Sequence, residues 1–556
     1  MMDIGLHKIL YLYITPSKFY LQPVEDSHKS EAITIDRQSC EITLNSIFSA
    51  SFLPANTTSC LIYGIIGIKH LVSSPYLIVV TKASQIGQID GHVIYRMDKA
   101  QLIPFKNEIN PQPGGGFDWN SIYLSMIENV LSTPSFYFSY SYDLTNTLQR
   151  SYNRSNTNES KSECASCQDL DLRFMWNWHL MTDFVNSRDR VDKYILPIIH
   201  GFVSINGLSF DQKFKLILIS RRSVFRAGTR FNSRGIDHEG HVSNFVESEQ
   251  IVEANGIVTA SFVQIRGSIP LIWSQRANYK YKPAIEIGSS REHDSPIKKH
   301  FNELKSYYGG VTVINLIDHK GHEGNLEHEF SQQIQRLQEY DNIPYYYFDF
   351  HRECSKMRWH RLSILLDRIE QELDSYGYFA IQYNTRHSQS YKVAERQCGV
   401  MRSNCIDSLD RTNVVQSLIG LRILEAQLVR FGLMPPYAKL RDSPESYETF
   451  KNVWADNADA LSVQYAGTPA LKTDFTRTGK RTQMGLVRDG VNSLTRYITN
   501  NFHDQYRQDA IDLFLGVFEG YPPPRYRPTD LTNYTAALPV TIVVLTLIVL
   551  YFYFRL

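Results

Sequence analysis

The 556-residue sequence predicts an α/β protein of three parts. They are an N-terminal β-rich α+β domain over residues 1–180, an α/β domain with a Cys-x5-Arg loop over 181–518, and a C-terminal transmembrane helix over 536–554. The first part shows short strand-like runs separated by turns, the second shows strands alternating with helices, and the third is one uncharged apolar run. A Pro-rich linker, 519–535, joins the last two parts.

Composition narrows the classes of function. The net charge is +1, so no global basic field favours nucleic acid as a partner. The seven cysteines are odd in number and scattered, which is typical of a reducing compartment rather than a disulfide scaffold. Cys164 and Cys167 have the spacing of metal ligands but no partner pair, so a metal site is not favoured there. No Walker A sequence supports nucleotide hydrolysis.

The strands of the first domain are predicted from short apolar runs between glycines. A helix is predicted over 120–131, after the Gly-rich loop 114–116. No cluster of reactive side chains accompanies these elements, so the domain is predicted to be a platform or an interaction surface. The predicted strands are 8–14, 32–36, 61–68, 76–81 and 92–97.

Compact apolar runs of the buried-strand type mark the second domain, with a helix predicted over 357–373. In a layered α/β domain, functional sites gather outside the carboxyl ends of the strands. The predicted strand 399–402 ends just before Cys405, which places this cysteine at such an end. The other predicted strands are 216–220, 260–266, 312–317, 344–350 and 378–383.

The segment 402–413 dominates the functional prediction. Cys405 and Arg411 are six positions apart, and apolar residues at the helical period follow them. The helix is therefore predicted to begin near Arg411, with the loop 405–410 over its N-terminus. The periodic residues are Val414, Val415, Leu418, Leu421, Leu424 and Leu428, and Gly432 stands where a C′ residue would end the helix.

A helix N-terminus suits a phosphate dianion, because unpaired N–H groups and the positive end of the helix dipole converge there. The same field stabilises a thiolate, so Cys405 is the predicted nucleophile. Arg411 can bind two phosphate oxygens at once, and Thr412 can donate its hydroxyl to the thiolate as leaving group. The residues expected around the phosphate are Asn404, Ile406, Ser408, Leu409, Thr412 and Asn413.

Two carboxylates, Asp407 and Asp410, lie inside the loop. An acid that neighbouring anions keep protonated can deliver its proton to a leaving alkoxide. Asp410 is the preferred acid because it flanks Arg411, and Asp407 would then order the loop or activate water. The residues alone leave the choice between the two open.

The run from Asn404 to Asn413, Asn-Cys-x-Asp-x-Leu-Asp-Arg-Thr-Asn, closely resembles the catalytic signature of the Sac-domain phosphoinositide phosphatases. The resemblance is strong over residues 172–516 and looks most like the integral-membrane type of the endoplasmic reticulum and Golgi. One position departs: the family's usual second loop cysteine is Ser408 here, so no disulfide can form between two loop thiols. Other segments that resemble the family are 219–230, 244–250, 266–270, 348–351 and 471–482.

The resemblance implies hydrolysis of phosphatidylinositol monophosphates through a cysteinyl-phosphate, chiefly of the 4-phosphate, with the 3-phosphate as the alternative. It implies a phosphoinositide lipid as substrate and neither a metal nor another cofactor. The implied location is the endoplasmic reticulum membrane, or else the Golgi membrane, with the catalytic domain in the cytosol. Membrane-bound members usually carry two adjacent spans, whereas this sequence shows one.

A basic cluster is predicted to contact the lipid head group or an anionic leaflet, although an ordinary solvated surface explains it equally well. Near the membrane such charges contribute about 1 kcal/mol each. The candidates are Lys472, Arg477, Lys480 and Arg481, with Arg266 as a further one.

Two other groups of residues carry charges that a site could use. Four arginines could line an anionic cleft. Two carboxylates and a histidine near a predicted strand end have the residue types of metal ligands, but mutual ion pairs and hydrogen bonds explain them better. The arginines are Arg226, Arg230, Arg234 and Arg266, and the second group is Asp349, His351 and Glu353.

Two rival functions stay open on this sequence. A protein tyrosine phosphatase would show His-Cys-x-x-Gly-x-x-Arg, whereas Asn404 precedes Cys405 and no glycine lies in the loop. A non-catalytic tether would bind phosphoinositide and hold membranes together, but the intact set of Cys405, Asp410 and Arg411 argues against it. Turnover of phosphopeptides alone would favour the first rival, and binding without turnover the second.

Overall fold

The computed structural model describes residues 5–24, 31–106, 118–156, 169–254, 256–278, 280, 283–355, 358–383, 391–471, 473–478 and 482–518. The predicted linker 519–535, the predicted span 536–554 and the pair Cys164 and Cys167 lie outside these residues. Among the described helices, none combines the length and the apolar composition needed to cross a bilayer. The chain divides into two compact units, with the boundary at His200 and a return of the chain to the first unit at Asp509.

The first unit is rich in antiparallel strands. One sheet has the strand order β4-β3-β2-β1-β5, and β6 to β9 pair in sequence in another. The strands are β1 (Leu10–Ile14), β2 (Lys18–Pro23), β3 (Ala32–Asp36), β4 (Ile42–Asn45), β5 (Thr58–Ile62), β6 (Gly64–His70), β7 (Pro75–Ile89), β8 (His92–Pro104) and β9 (Phe136–Phe138). The helices are α1 (Trp119–Ser132), α2 (Leu148–Asn156) and α3 (Thr182–Val185).

Two differences from the predicted strands in this unit occur near glycines. The predicted strand 61–68 is two strands in different sheets, because β5 ends at Ile62 and pairs with β1, whereas β6 begins at Gly64, with a φ of +151°, and pairs with β7. β7 and β8 are much longer than predicted, since the ladder continues past Gly87 through a bulge. Asp90 and Gly91, both with positive φ, form the tight turn between these strands.

The second unit is a mixed α/β layer structure, as predicted. Its sheet follows the order β17-β16-β20-β13-β12-β11-β10, with β18 paired to β13 and β19 to β18. The strands are β10 (Ile199–Ser209), β11 (Lys213–Arg222), β12 (Val246–Ala254), β13 (Val258–Arg266), β14 (Trp273–Gln275), β15 (Ile285–Ile287), β16 (Gly310–Asn315), β17 (Tyr345–Tyr347), β18 (Phe379–Tyr383), β19 (Tyr391–Glu395) and β20 (Gly399–Asn404).

Helices such as α8 and α9 pack on the sheet, and a core forms between these helices and the strands. Leu424 and Leu428 of the helix after β20 pack with Trp454 of the next helix against strand residues such as Leu216 and Ala260. The helices are α4 (Ser290–Tyr308), α5 (Gly324–Gln338), α6 (Phe350–Glu353), α7 (Leu362–Tyr376), α8 (Asp410–Arg430), α9 (Pro444–Ala466), α10 (Thr473–Thr478), α11 (Gln483–Ile498) and α12 (Asp504–Phe514).

Caps explain where two predictions were wrong. The predicted strand 344–350 ends at Tyr347, because the Asp349 carboxylate accepts the N–H of Arg352 and starts α6. The predicted helix 357–373 corresponds to α7, which begins only at Leu362 and extends to Tyr376, where Gly377 with a φ of +60° ends it.

Candidate active site

The Cys-x5-Arg loop joins the carboxyl end of β20 to the N-terminus of α8. Cys405 directly follows the last strand residue, and α8 begins at Asp410. β20 lies between β13 and β16, and the three strands are parallel. The segments that follow them therefore meet at one edge of the sheet.

Side chains bind the carbonyl oxygens of the loop on one side. Arg234 Nη1 donates to the carbonyl of Ile406 at 2.9 Å, and Asn244 Nδ2 donates to that of Asp407 at 3.1 Å. Because the C=O and N–H of a trans peptide point in opposite directions, the N–H groups of Asp407 and Ser408 point away from these donors. Backbone N–H groups turned in this way suit an anion at the helix N-terminus.

Ser408, at the family's second cysteine position, fastens the loop to the sheet. Its backbone has a φ of +48°, and its hydroxyl donates to the carbonyl of Gly267 at 2.5 Å. Leu409 is buried beside Tyr465 and Ala466. The loop is therefore fixed by contacts with the segment after β13 and with the end of α9.

A cavity of about 270 Å³ opens beside the loop. Cys405, Asp410 and Arg411 all line it, so the structure brings the predicted nucleophile, acid and phosphate-binding arginine to one place. Only 2 % of Cys405 is exposed, yet it reaches this cavity. Polar residues from the region of α10 and α11 also line it, namely Thr473, Thr476, Ser493, Arg496, Tyr497, Asn500 and Asn501.

Arg411 is held by two carboxylates. Its Nη1 and Nη2 donate to the two oxygens of Glu323 at 3.0 Å each, and Nη1 is also 3.3 Å from Asp318 Oδ1. Burial by itself would lower the pKa of Arg411, but Cys405 and Glu323 outweigh this effect and raise it above its ordinary value. The guanidinium is therefore permanently charged at the cavity.

Asp407 is enclosed by two arginines. Arg230 Nε and Nη2 donate to its two oxygens at 2.9 and 2.8 Å, and Arg234 Nη2 donates to Oδ1 at 2.7 Å. Burial would raise the pKa of Asp407, but the two guanidinium groups hold it well below its usual range. A carboxylate fixed in this way orders the loop and holds no proton to donate.

Asp410 is the more accessible carboxylate of the loop. Its side chain is 34 % exposed, its Oδ1 accepts the N–H of Leu471 at 2.9 Å, and Arg496 Nη1 lies 3.8 Å from Oδ2. Asp410 and Asp407 both line the cavity with Cys405. Of the two, Asp410 is the more exposed, and it is not held between two arginines at hydrogen-bond distance as Asp407 is.

The remaining predicted phosphate-binding residues differ in their surroundings. Asn404 is buried and binds Asn315 Oδ1 through Nδ2 at 2.7 Å, so its amide supports the end of the strand. Asn413 lines the cavity, and its Nδ2 donates to the carbonyl of Trp454 at 3.0 Å. Thr412 is buried, and its hydroxyl has no hydrogen-bond partner among the described residues.

The predicted basic cluster is only partly described. Lys472, Lys480 and Arg481 lie outside the described residues. Arg477 pairs with Asp456 at 2.6 Å and with Asp459 at 3.2 Å.

The other predicted arginines have separate places in the structure. Arg266 is buried at the end of β13 and is not among the residues that line the cavity. Arg226 braces a turn by donating to the carbonyls of Arg234 and Gly235. Arg230 and Arg234 do reach the loop. Both are paired with the Asp407 carboxylate, so neither presents an uncompensated positive charge to the cleft.

The group resembling metal ligands is held by ion pairs and hydrogen bonds. His351 Nδ1 lies 2.8 Å from Asp318 Oδ1, and Glu353 pairs with Arg361 at 2.6 Å. No group of three or more potential ligands occurs in the described part of the chain. His351 also lines the cavity.

Glu323 and Asp318 are site residues that sequence reasoning missed. Both follow the predicted strand 312–317, at the edge of the sheet where site residues were expected. Their position directly after a predicted strand was the one signal in the sequence that could have identified them as site residues.

Comparison with known proteins shows to which family this chain belongs. A family model described as the SacI homology domain matches residues 63–355. Phosphatidylinositol-3-phosphatase SAC1-A of Danio rerio is 45 % identical over 508 residues, which cover 91 % of this chain and 84 % of that protein. The SAC1 phosphatase of Drosophila melanogaster is 42 % identical, over 91 % of this chain and 82 % of its own. The protein of that name from Saccharomyces cerevisiae is 38 % identical, over 85 % and 75 %.

The matched family model ends before Cys405, but the alignments with these relatives extend over most of the chain. They confirm the resemblance on which the sequence-based prediction was built. The chain belongs to the SacI homology domain family, together with these named phosphatidylinositol phosphatases.

Proposed function

We propose that this protein is a phosphoinositide phosphatase that hydrolyses phosphatidylinositol monophosphates, chiefly the 4-phosphate and secondarily the 3-phosphate. The observation that carries the proposal is the cavity shared by Cys405, Asp410 and Arg411 at the N-terminus of α8. Membership of a family with relatives named as phosphatidylinositol-3-phosphatases supports the substrate class. The proposed catalytic part is residues 181–518, with 1–180 as its platform.

The reaction starts with attack of the Cys405 thiolate on the inositol phosphate. Arg411 and the loop N–H groups stabilise the equatorial oxygens, while Asp410 protonates the departing inositol oxygen. The S–P bond forms as the P–O bond breaks, which leaves a cysteinyl-phosphate. Water then attacks phosphorus, Asp410 takes its proton, and the thiolate and inorganic phosphate are released.

Asp407 has a separate role in this scheme. Two arginines neutralise it, so it keeps the loop in the conformation that binds phosphate. Six other residues of the same segment complete the surroundings of the phosphate, namely Asn404, Ile406, Ser408, Leu409, Thr412 and Asn413. Arg477, with Lys472, Lys480 and Arg481, contacts the head group or the anionic leaflet.

The proposed enzyme acts at a membrane. An uncharged apolar run over 536–554 would anchor it through a single span after the linker 519–535. The endoplasmic reticulum is the proposed location, with the Golgi as an alternative and the catalytic part in the cytosol. Sedimentation of the full chain with liposomes tests the anchor, and loss of sedimentation on replacing Val543 and Leu547 by Asp would identify this segment.

Phosphate release from a panel of phosphoinositide isomers in vesicles tests the function. We expect the wild-type chain to dephosphorylate the monophosphates and Cys405→Ser to release none above background. Undiminished turnover by Cys405→Ser would remove Cys405 from the mechanism. Turnover of phosphopeptides with inert lipids would instead identify a protein phosphatase, and lipid binding without turnover a tether.

A further inference from the structure

Arg266 is a buried cation on the strand beside the one that leads into the Cys-x5-Arg loop. It is the last residue of β13 and is only 1 % exposed. In the parallel pairing of β13 with β20 it lies opposite Ser403, two residues before Cys405. The strand register thus places Arg266 next to the start of the loop, and its side chain is not among those that line the cavity.

All three guanidinium nitrogens of Arg266 lack a hydrogen-bond partner among the described residues. Arg402, an equally buried arginine on the neighbouring strand, shows that acceptors are available in this sheet. Its nitrogens bind His300 Nε2 at 3.1 Å, Asn404 Oδ1 at 3.1 Å and the carbonyl of Ser268 at 2.8 Å. A buried charge without a partner is costly, so Arg266 needs an anion that appears in the working state of the protein.

The ionisable groups that act on the charge of Arg266 are reacting groups of the proposed site. Burial lowers the pKa of Arg266 to about 10, and the opposing influences come from Cys405 and Asp410.

The hydroxyls of Ser403 and Thr412 are likewise buried without a hydrogen-bond partner among the described residues. Gln264, two residues earlier on the same strand face, donates to the carbonyl of Gln416 at 2.9 Å, so this face lies against the first turns of α8.

We infer that Arg266 is the counter-ion of the Cys405 thiolate, acting from the neighbouring strand while Arg411 binds the phosphoryl group from the cavity. This role rests on the proposed function. In the free enzyme the thiol proton leaves to solvent and the sulfur anion is balanced by Arg266. When water cleaves the cysteinyl-phosphate, the S–P bond breaks and the sulfur returns as an anion beside the same guanidinium.

Arg266 is therefore a positioning residue, whose effect passes through the charge on sulfur. A residue in this role raises the reactivity of the nucleophile, but it does not stabilise the fold at a pH where Cys405 still carries its proton, because its own charge then has no counter-ion. An arginine with only a structural role would stabilise the fold and would not affect the reactivity of Cys405. The two roles predict opposite patterns of reactivity and stability.

The test uses Arg266→Met and Arg266→Lys in the full chain. Iodoacetamide alkylation of Cys405, followed by mass spectrometry of its peptide, reports the pH at which the sulfur becomes reactive. We expect the methionine variant to shift this pH midpoint upward by about one unit or more, and to lower phosphoinositide turnover by about 10²–10³-fold. The lysine variant should lie closer to wild type because it keeps the charge. At a pH below the wild-type alkylation midpoint, where Cys405 keeps its proton, the unfolding midpoint of Arg266→Met should be equal to or above the wild-type value.

Arg222→Met is the matched control. Arg222 is also a fully buried arginine of this sheet, but its Nη2 donates to the carbonyl of Gly228. Its loss should lower the unfolding midpoint and leave the pH midpoint of alkylation at the wild-type value.

Three results would overturn the inference. They are a wild-type pH midpoint in Arg266→Met, a loss of stability like that of the control, or a lysine variant no more reactive than the methionine variant. Active Cys405→Ser would refute the proposed function instead. The alkylation measurement would still report on Arg266, so the two failures are distinguishable.

Discussion

Arg411 and Glu323 face each other in a bidentate ion pair, with both N–H···O distances at 3.0 Å. This is the geometry that an arginine uses to bind phosphate. The carboxylate thus occupies donors of Arg411 that the phosphoryl group would use. Asp318 adds a second negative charge, since its Oδ1 lies 3.3 Å from Arg411 Nη1 and 2.8 Å from His351 Nδ1.

Replacing Glu323 by Gln should therefore strengthen phosphate binding. One negative charge leaves the site, and we expect the inhibition constant of inorganic phosphate to fall by roughly threefold to tenfold. Steady-state kinetics with added phosphate would measure it. Glu353→Gln, which removes a carboxylate that pairs with Arg361 instead, is the control. Weaker phosphate binding by Glu323→Gln would show that Glu323 orients Arg411 rather than competing for it.

Asp407→Asn should destabilise the protein, because it leaves Arg230 and Arg234 without their shared counter-ion. Removing one partner of such a buried pair costs about 3–5 kcal/mol of unfolding free energy. Urea denaturation would measure this loss. A variant as stable as wild type would contradict the assigned role.

The same carboxylate predicts a pH dependence. The folded-state pKa of Asp407 is lowered, so its contribution to stability is present above the unfolded value near 4 and is lost as the pH falls below it. Between about pH 4 and pH 3, wild type should lose unfolding free energy more steeply than Asp407→Asn. Parallel slopes for the two proteins would exclude this source of acid sensitivity.

The protonation of Asp459 predicts a pH dependence of stability with the opposite sign. Burial raises its pKa to about 6, although Arg477 acts in the other direction. The folded protein therefore binds more protons than the unfolded chain between about pH 4 and pH 6, so stability should fall as the pH rises through this window. Asp459→Asn should remove that slope in denaturation curves, whereas Asp456→Asn, at the exposed partner of Arg477, should keep it.

Thr412→Val should slow the second half of the reaction. Its hydroxyl has no hydrogen-bond partner among the described residues and is expected to stabilise the departing thiolate. Losing one such bond should reduce steady-state turnover by about tenfold. Rapid-quench experiments with labelled lipid should then trap more cysteinyl-phosphate than in wild type.

Ser417→Ala is the control for this prediction, since it deletes a hydroxyl from the same helix that donates only to the carbonyl of Val414. It should leave turnover and trapped intermediate unchanged. Equal amounts of intermediate in Thr412→Val and wild type would argue that the hydroxyl serves another step.

Local sequence determined the central loop and helix. The helical period after Arg411 and the glycine at 432 predicted a helix that the structure shows over Asp410–Arg430, with Gly432 at a φ of +69°. The reason is that periodicity, caps and the phosphate-loop spacing act over a few residues and need no distant partner. The family signature around Cys405 is equally local, which is why the resemblance was visible.

Only the tertiary structure decided which charges meet. Glu323 is 88 positions from Arg411, and Arg230 is 177 positions from Asp407. Parallel strands bring these segments to one edge of the sheet, and no local pattern encodes the pairing of one arginine with one carboxylate. The different surroundings of Asp407 and Asp410, and the absence of a hydrogen-bond partner for Arg266 among the described residues, follow from three-dimensional packing, because the protonation and pairing of a charged group depend on its neighbours in space.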